Sequence, residues 1–341
     1  MAVMSSPTRP SRWRLLWKPL EAVMQAVLNT VEIPMRWAQR VLGQQRIAWV
    51  FLLPNLLIFG LFTYLPIGVN FLYASTGGTN LWPGDRPFVG TENFEILLDC
   101  QNYLDPASCR RDTFWIAVFN SARFVVLQVG FMVTLALITA LVLNRKIIGR
   151  GFWRSVFFYP VLLSPVVVAL IWKWILQREG VLNAALLGIG AEPVNWLLSP
   201  HWAFFWVVFV NIWFQMGFYT LILLAGLQAI PPDVYEAAEM DGTRPIRVFT
   251  RITLPLLMPT MIVVLVLALI RAVQAFDEIY VLTGGGPGTA TMFMVQYIYE
   301  TGFASQIQQF GIAAAASLLL AIVLFILTML QLRATRKQMN G

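Results

Sequence analysis

Residues 230–259 read IPPDVYEAAEMDGTRPIRVFTRITLPLLMP. Pro231 and Pro232 suit a helix start, where a missing N–H costs nothing. Asp233 and Glu236 fall near the first turn, where the helix dipole favours negative charge. Ala237 and Ala238 are strong helix formers. Gly242 is placed to end the helix in a left-handed cap. Thr243 is placed to cap a second helix, with Pro245 tolerated in its first turn. The stretch thus predicts a short polar helix, a sharp turn, and a second helix leading into an apolar segment. Such a device projects from a membrane and can plug into a cleft on another protein.

What flanks it supports the membrane. The chain has 341 residues, 58% hydrophobic and 12% charged, about half the charge of an ordinary soluble domain. Six apolar runs lie near 47–73, 114–143, 156–176, 203–227, 256–282 and 310–332. Each exceeds the roughly 18 residues that mark a bilayer span. Barrel strands are about ten residues long and alternate in polarity, so these runs predict an all-α membrane protein with six transmembrane helices. Seventeen Lys and Arg fall in the N-terminal 46 residues, the second and fourth connections and the tail, against four (Arg86, Arg110, Arg111, Arg178) in the other connections. That asymmetry predicts both termini in the cytoplasm. It also assigns the net charge of +7 to membrane orientation rather than to nucleic acid.

The organisation expected is a basic segment over 1–46, a membrane domain over 47–332 containing the cytoplasmic loop 230–255, and a basic tail over 333–341. No apolar stretch with a small-residue cleavage site follows the basic start. Instead Leu20, Val23, Met24, Val27, Leu28 and Val31 repeat at helical spacing. They predict an amphipathic helix over 20–42, lying on the membrane surface or packed against a partner, and ended or kinked at Pro34. Cys100 and Cys109 share one short outward loop, which predicts a disulfide; two free thiols are the alternative.

Several chemistries are excluded or unsupported. The four lysines, Lys18, Lys146, Lys173 and Lys337, follow Trp17, Arg145, Trp172 and Arg336. No glycine precedes a lysine, so no phosphate-binding P-loop can be written, and the glycine run at 284–288 lacks the lysine. The single histidine, His201, sits beside an outer helix start. There are too few Cys and His at useful spacing for a metal site. The chain reads as no enzyme and binds no cofactor of its own.

Polar residues inside spans are expensive and mark candidate functional positions. The second span holds Asn120, Arg123 and Gln128, and the fourth holds Asn211, Gln215 and Tyr219. The fifth holds Arg271, Gln274 and Glu278 at i, i+3 and i+7 of one helical face, with Asp277 about 100° round. Such faces, with Trp213 and Phe276 nearby, offer a hydroxylated solute donors, acceptors and aromatic surface; bonding from helix to helix is the structural alternative. Pro160, Pro165 and Pro259 are expected to kink spans and free carbonyls near this path.

Glu236-Ala237-Ala238, then Gly242, Ile252 and Leu254-Pro255 at their present spacing, resemble the EAA loop of ABC importer permeases. The stretch 276–287, FDEIYVLTGGGP, resembles the carbohydrate branch that includes the first membrane subunit of maltose-type and glycerol-phosphate-type importers. Val89-Gly90, Asn93-Phe94 and Gly151-Phe152-Trp153-Arg154 agree with it. The resemblance covers about 47–336 and implies a type I ABC importer permease fold in a bacterial inner membrane. It implies that Glu236, Ala237, Ala238, Glu239, Asp241 and Gly242 couple the permease to an ATPase subunit. It further implies a second permease subunit, two ATPase subunits that use ATP and Mg, an external solute-binding protein, and a small hydroxylated solute such as a sugar or polyol. An ion-coupled secondary transporter would leave the EAA spacing unexplained.

Overall fold

The computed structural model describes residues 51–145 and 147–339, with backbone only over 334–339, together with Thr30, Gly43 and Trp49. Apart from Thr30, the expected amphipathic helix over 20–42 lies outside the described residues. The described residues divide into two units between Val69 and Asn70, within the first span.

Among the described residues five helices are long and apolar enough to cross a bilayer: α1 Phe51–Ala74, α3 Asp112–Asn144, α7 Pro200–Gln228, α9 Pro245–Val273 and α12, whose spanning part is Phe310–Arg333 and whose helix runs on to Met339. Between them lie short helices: α2 Glu92–Leu98, α4 Arg150–Phe158, α5 Pro165–Ile175, α6 Val181–Gly188, α8 Pro232–Met240, α10 Asp277–Thr283 and α11 Met294–Tyr299. The regular structure described is all helical apart from two isolated bridges, Thr76–Phe88 and Cys100–Cys109, in the loops between α1 and α3.

Two of the six expected spans are not single helices. The run at 156–176 is split: Arg150–Leu162 and Pro165–Ile175 are bent by 100°, so the sixth crossing exists only if this pair is one broken span. Pro165 explains the break. It occupies the first turn of α5 and holds Ser164 extended, at φ −68 and ψ 140, because the residue before proline is kept out of the helical region. Pro160 sits in a 3-10 turn over Tyr159–Leu162. The run at 256–282 is also split. Helix α9 ends at Val273 and α10 begins at Asp277, with Phe276 at φ −147 and ψ −62. Pro259, by contrast, lies inside α9, and the helix continues through it.

Helix α7 is the most buried of the described spans, as expected of a helix apolar all round. Val207, Leu223 and Leu227 pack with Met132, Ala136 and Ala140 of α3 and with Leu257, Val264 and Ala268 of α9. A second cluster joins Ala74, Leu97 and Phe114 to Met294, Tyr297 and the small residues Ala314, Ala315 and Ala316 at the start of α12. Asn93 ties α2 to the end of α1, its Nδ2 donating to the carbonyls of Ala74 (2.8 Å) and Thr76 (3.0 Å). Cys100 and Cys109 are joined in a disulfide, closing the loop between α2 and α3.

Gly217 sets how closely α7 approaches the α4 end of the broken run: a Cβ there would lie 2.1 Å from the Phe157 carbonyl oxygen. Gly217→Ala should therefore push two backbones apart and cost about 1–3 kcal/mol, seen as a lower melting temperature of the purified protein in detergent. Gly130→Ala, where nothing lies within 4 Å, should melt like wild type or slightly higher. Equal melting of both variants would contradict this packing.

Candidate functional site

The two helix breaks face the same space. A cavity of about 400 Å³ is lined by Leu163 and Pro165 from one break and by Gln274, Ala275 and Phe276 from the other. Gln215 and Tyr219 of α7, Arg271 of α9, and Asp277 and Glu278 of α10 complete its polar wall. The break places Asp277 and Glu278 in the first turn of α10, where the helix dipole favours carboxylates. Arg271, Gln274 and Glu278 thus meet at the cavity but do not share one helical face. Helical spacing across 271–278 does not hold, because α9 stops at Val273.

Behind the wall lies a buried amide network. Asn211 is fully buried. Its Oδ1 accepts from Gln128 Nε2 at 2.9 Å and Gln215 Nε2 at 3.0 Å, and its Nδ2 donates to Glu278 Oε1. Asn211 therefore holds α3, α7 and α10 together and orients two wall residues rather than lining the cavity itself. The other residues expected on the path lie elsewhere. Asn120 donates to the carbonyls of Thr289 (2.9 Å) and Met292 (3.2 Å) and anchors the loop after α10. Arg123 places its guanidinium 3.9 Å from the Phe204 ring centroid, in a separate apolar cleft between α3 and α7 that His201 and Trp213 also line.

One contact was not anticipated. Lys173 of α5 donates to the Val281 carbonyl at 3.2 Å, a cation at the C-terminal end of α10 where helix carbonyls lack partners. A lone lysine in an apolar run is the signal that points to it.

The second feature is the stretch after α7. Pro231 and Pro232 take the N-cap and first position of α8. At the other end Gly242 has φ +61. The Thr243 N–H donates to the Ala238 carbonyl and the Gly242 N–H to that of Glu239, both at 3.0 Å. This double bond pattern is a Schellman cap, which requires the left-handed residue that glycine supplies. Thr243 does not cap the following helix. Arg244 is the N-cap residue of α9, without a side-chain bond, and Pro245 begins the helix, because Thr243 is already used in closing α8.

Ala238 is buried, and the Tyr235 hydroxyl lies 3.3 Å from Thr253 Oγ1, fastening α8 to α9. Glu236, Ala237, Glu239 and Asp241 are exposed. So are Met240 (89%) and Ile246 (75%), apolar side chains among charges on this turn.

A helical membrane protein with a polar cavity at two broken helices and a projecting, rigidly capped helix pair is a transport subunit by architecture. The chain belongs to the family of binding-protein-dependent transport system inner membrane components, whose model matches residues 132–339. A trehalose/maltose transport system permease protein of Thermococcus litoralis is 36% identical over 297 residues, 86% of this chain and 95% of that protein. A crystal structure of a bacterial ABC transporter involved in import of the acidic polysaccharide alginate contains a chain 26% identical, with a TM-score of 0.73, covering 87% of this chain and 98% of that one. A second structure, with an alginate pentasaccharide-bound periplasmic protein in the complex, has a chain 25% identical with a TM-score of 0.72, covering 88% and 97%.

The buried network makes a stability prediction. Asn211→Ala leaves the Gln128 amide and the Glu278 carboxyl buried without this partner and should cost on the order of 1–3 kcal/mol. Gln215→Ala, at the cavity wall, should cost under about 1 kcal/mol. Thermal unfolding in detergent measures both; an Asn211→Ala protein as stable as wild type would show that the network does not hold the three helices.

Proposed function

We propose that this chain is the membrane permease subunit of an ATP-driven, binding-protein-dependent importer that moves a sugar, oligosaccharide or polyol into the cytoplasm by alternating access. The observation that carries the proposal is the continuity of α9. It begins at Pro245, after the capped turn at Gly242, passes through a π-helical stretch over Phe249–Thr253 and ends at Val273, 29 residues in all, about 44 Å at the helical rise, with Arg271 of its last turn in the cavity wall. A displacement of α8 by a docked partner is thereby delivered to the cavity as a movement of its wall.

The partners follow from the same parts. One of two ATPase subunits, using ATP and Mg, would dock on the exposed face of Glu236, Ala237, Glu239, Asp241 and Gly242, with Ala238 buried beneath it, which puts that loop and both termini in the cytoplasm. A second permease subunit would complete the path, and an external solute-binding protein would deliver the solute, as the periplasmic protein in the alginate transporter structure suggests. The carbohydrate class is supported by the trehalose/maltose and alginate proteins that this chain resembles. The wall chemistry also supports it: neutral amides at Gln215 and Gln274, a hydroxyl at Tyr219, and an aromatic ring at Phe276. Arg271 is accompanied there by Asp277 and Glu278, so its positive charge is offset within the wall and does not by itself call for an anionic solute.

The test is uptake by the assembled complex in liposomes. Uptake should need ATP and should not be driven by an ion gradient alone. Gly242→Val, which puts a β-branched side chain at φ +61, and Glu236→Lys, which reverses charge on the docking face, should each lower ATP-driven uptake about tenfold. The solute affinity of the binding protein should not change. Accumulation driven by an ion gradient without ATP would overturn the proposal in favour of a secondary transporter.

A further inference from the structure

The aromatic surface does not stop at the cavity rim. Phe276, in the cavity wall, has its ring centroid 5.2 Å from that of Tyr280 and 5.3 Å from that of Tyr299. Tyr299 lies 6.2 Å from Phe303, Phe303 6.2 Å from Phe310, and Phe310 6.0 Å from Tyr73. Arg86 closes the far end, its guanidinium carbon 5.2 Å from the Tyr73 centroid and 5.8 Å from that of Phe310. Arg86 also lines a second cavity, of about 390 Å³, with Glu92, Asn93, Arg111 and Gln309. An unbroken row of rings therefore joins the polar cavity at the helix breaks to a polar cavity among the outer loops.

The row is partly open. Tyr299 is 38% exposed and Phe303 62% exposed. Interfacial aromatic belts gather at the two lipid–water levels, whereas this row runs from one polar cavity to another. A saccharide has the matching chemistry. The C–H face of a pyranose lies on an aromatic ring while its hydroxyl rim seeks polar groups, and ligand sites commonly combine apolar and aromatic walls with a few placed polar groups. We propose that this row is a saccharide track, along which a linear oligosaccharide rests several units at once as it passes from the outer cavity to the cavity at the breaks. The inference rests on the saccharide-import reading above and adds to it a preference for chains of more than one or two units.

The experiment uses the assembled complex with its binding protein, in liposomes loaded with ATP. The probes are pairs of neutral oligosaccharides of two and five units, maltose with maltopentaose and cellobiose with cellopentaose, compared at matched complex levels. Tyr299→Ala and Phe303→Ala should slow uptake of the five-unit member about three- to tenfold and of the two-unit member less than about twofold. Tyr299→Phe and Phe303→Tyr, which keep the ring, should restore wild-type rates. Phe303→Leu, which keeps apolar volume without the ring, should behave like the alanine variant and carries the test if that variant assembles poorly. Equal slowing of both lengths, or of neither, overturns the track while leaving the importer reading standing. A wild-type complex that takes up neither five-unit member also overturns the track, while leaving import of smaller sugars or polyols standing.

Discussion

Inside a bilayer a backbone N–H or C=O that loses its helical partner has no water to turn to, and each one left unpaired costs several kcal/mol. Irregular backbone is therefore tolerated at membrane depth only where protein or a polar cavity receives it. The chain breaks two of its apolar runs, at Leu163–Ser164 and at Gln274–Phe276. Both breaks open on the same cavity. The rest of the arrangement follows from accommodating them: Lys173 bonds the end of α10, Asn211 holds Glu278 at its start, and α7 lies behind both.

This construction separates rigid parts from parts that can be driven. The Gln128–Asn211–Gln215 amides and Glu278 bind three helices across a buried network, and Gly217 brings α7 against the Phe157 backbone. Helix α9 instead runs from an exposed, Schellman-capped turn to the cavity wall. On the proposed function, a partner docked at Glu236 and Met240 would act on Arg271 through this helix.

Much of this was legible in the residues. Run length and the lack of charge read the long helices correctly, because the cost of polar groups in lipid leaves few alternatives. The double proline at 231–232 and Gly242 marked both ends of α8, since each residue acts through its own backbone. Pro165 announced the first break for the same reason. The second break carries no proline or glycine within 274–276, so periodicity ran on through it and placed Arg271, Gln274 and Glu278 on one face. Only tertiary packing, with α10 set against α5 and α7, determines where α9 stops. Asn120, Arg123 and Gln128 share a helix, yet one anchors a loop, one faces an apolar cleft and one joins the amide network. Their neighbours on other helices decide the role, and helical spacing carries no record of those neighbours.

On the proposed function, the cavity at the two breaks is a water-accessible place where a saccharide sits. Gln274→Cys tests it directly, since Cys100 and Cys109 are already bonded to each other and leave the new thiol as the reactive one in this chain, with the unsubstituted complex as the control for its partners. In the assembled complex with its binding protein, a polar thiol reagent should modify position 274. A saccharide the complex transports should slow that modification, while one it does not transport should have no effect. A thiol at 274 that stays unreactive throughout the ATP cycle, or one whose reactivity is indifferent to the transported saccharide, would contradict the account.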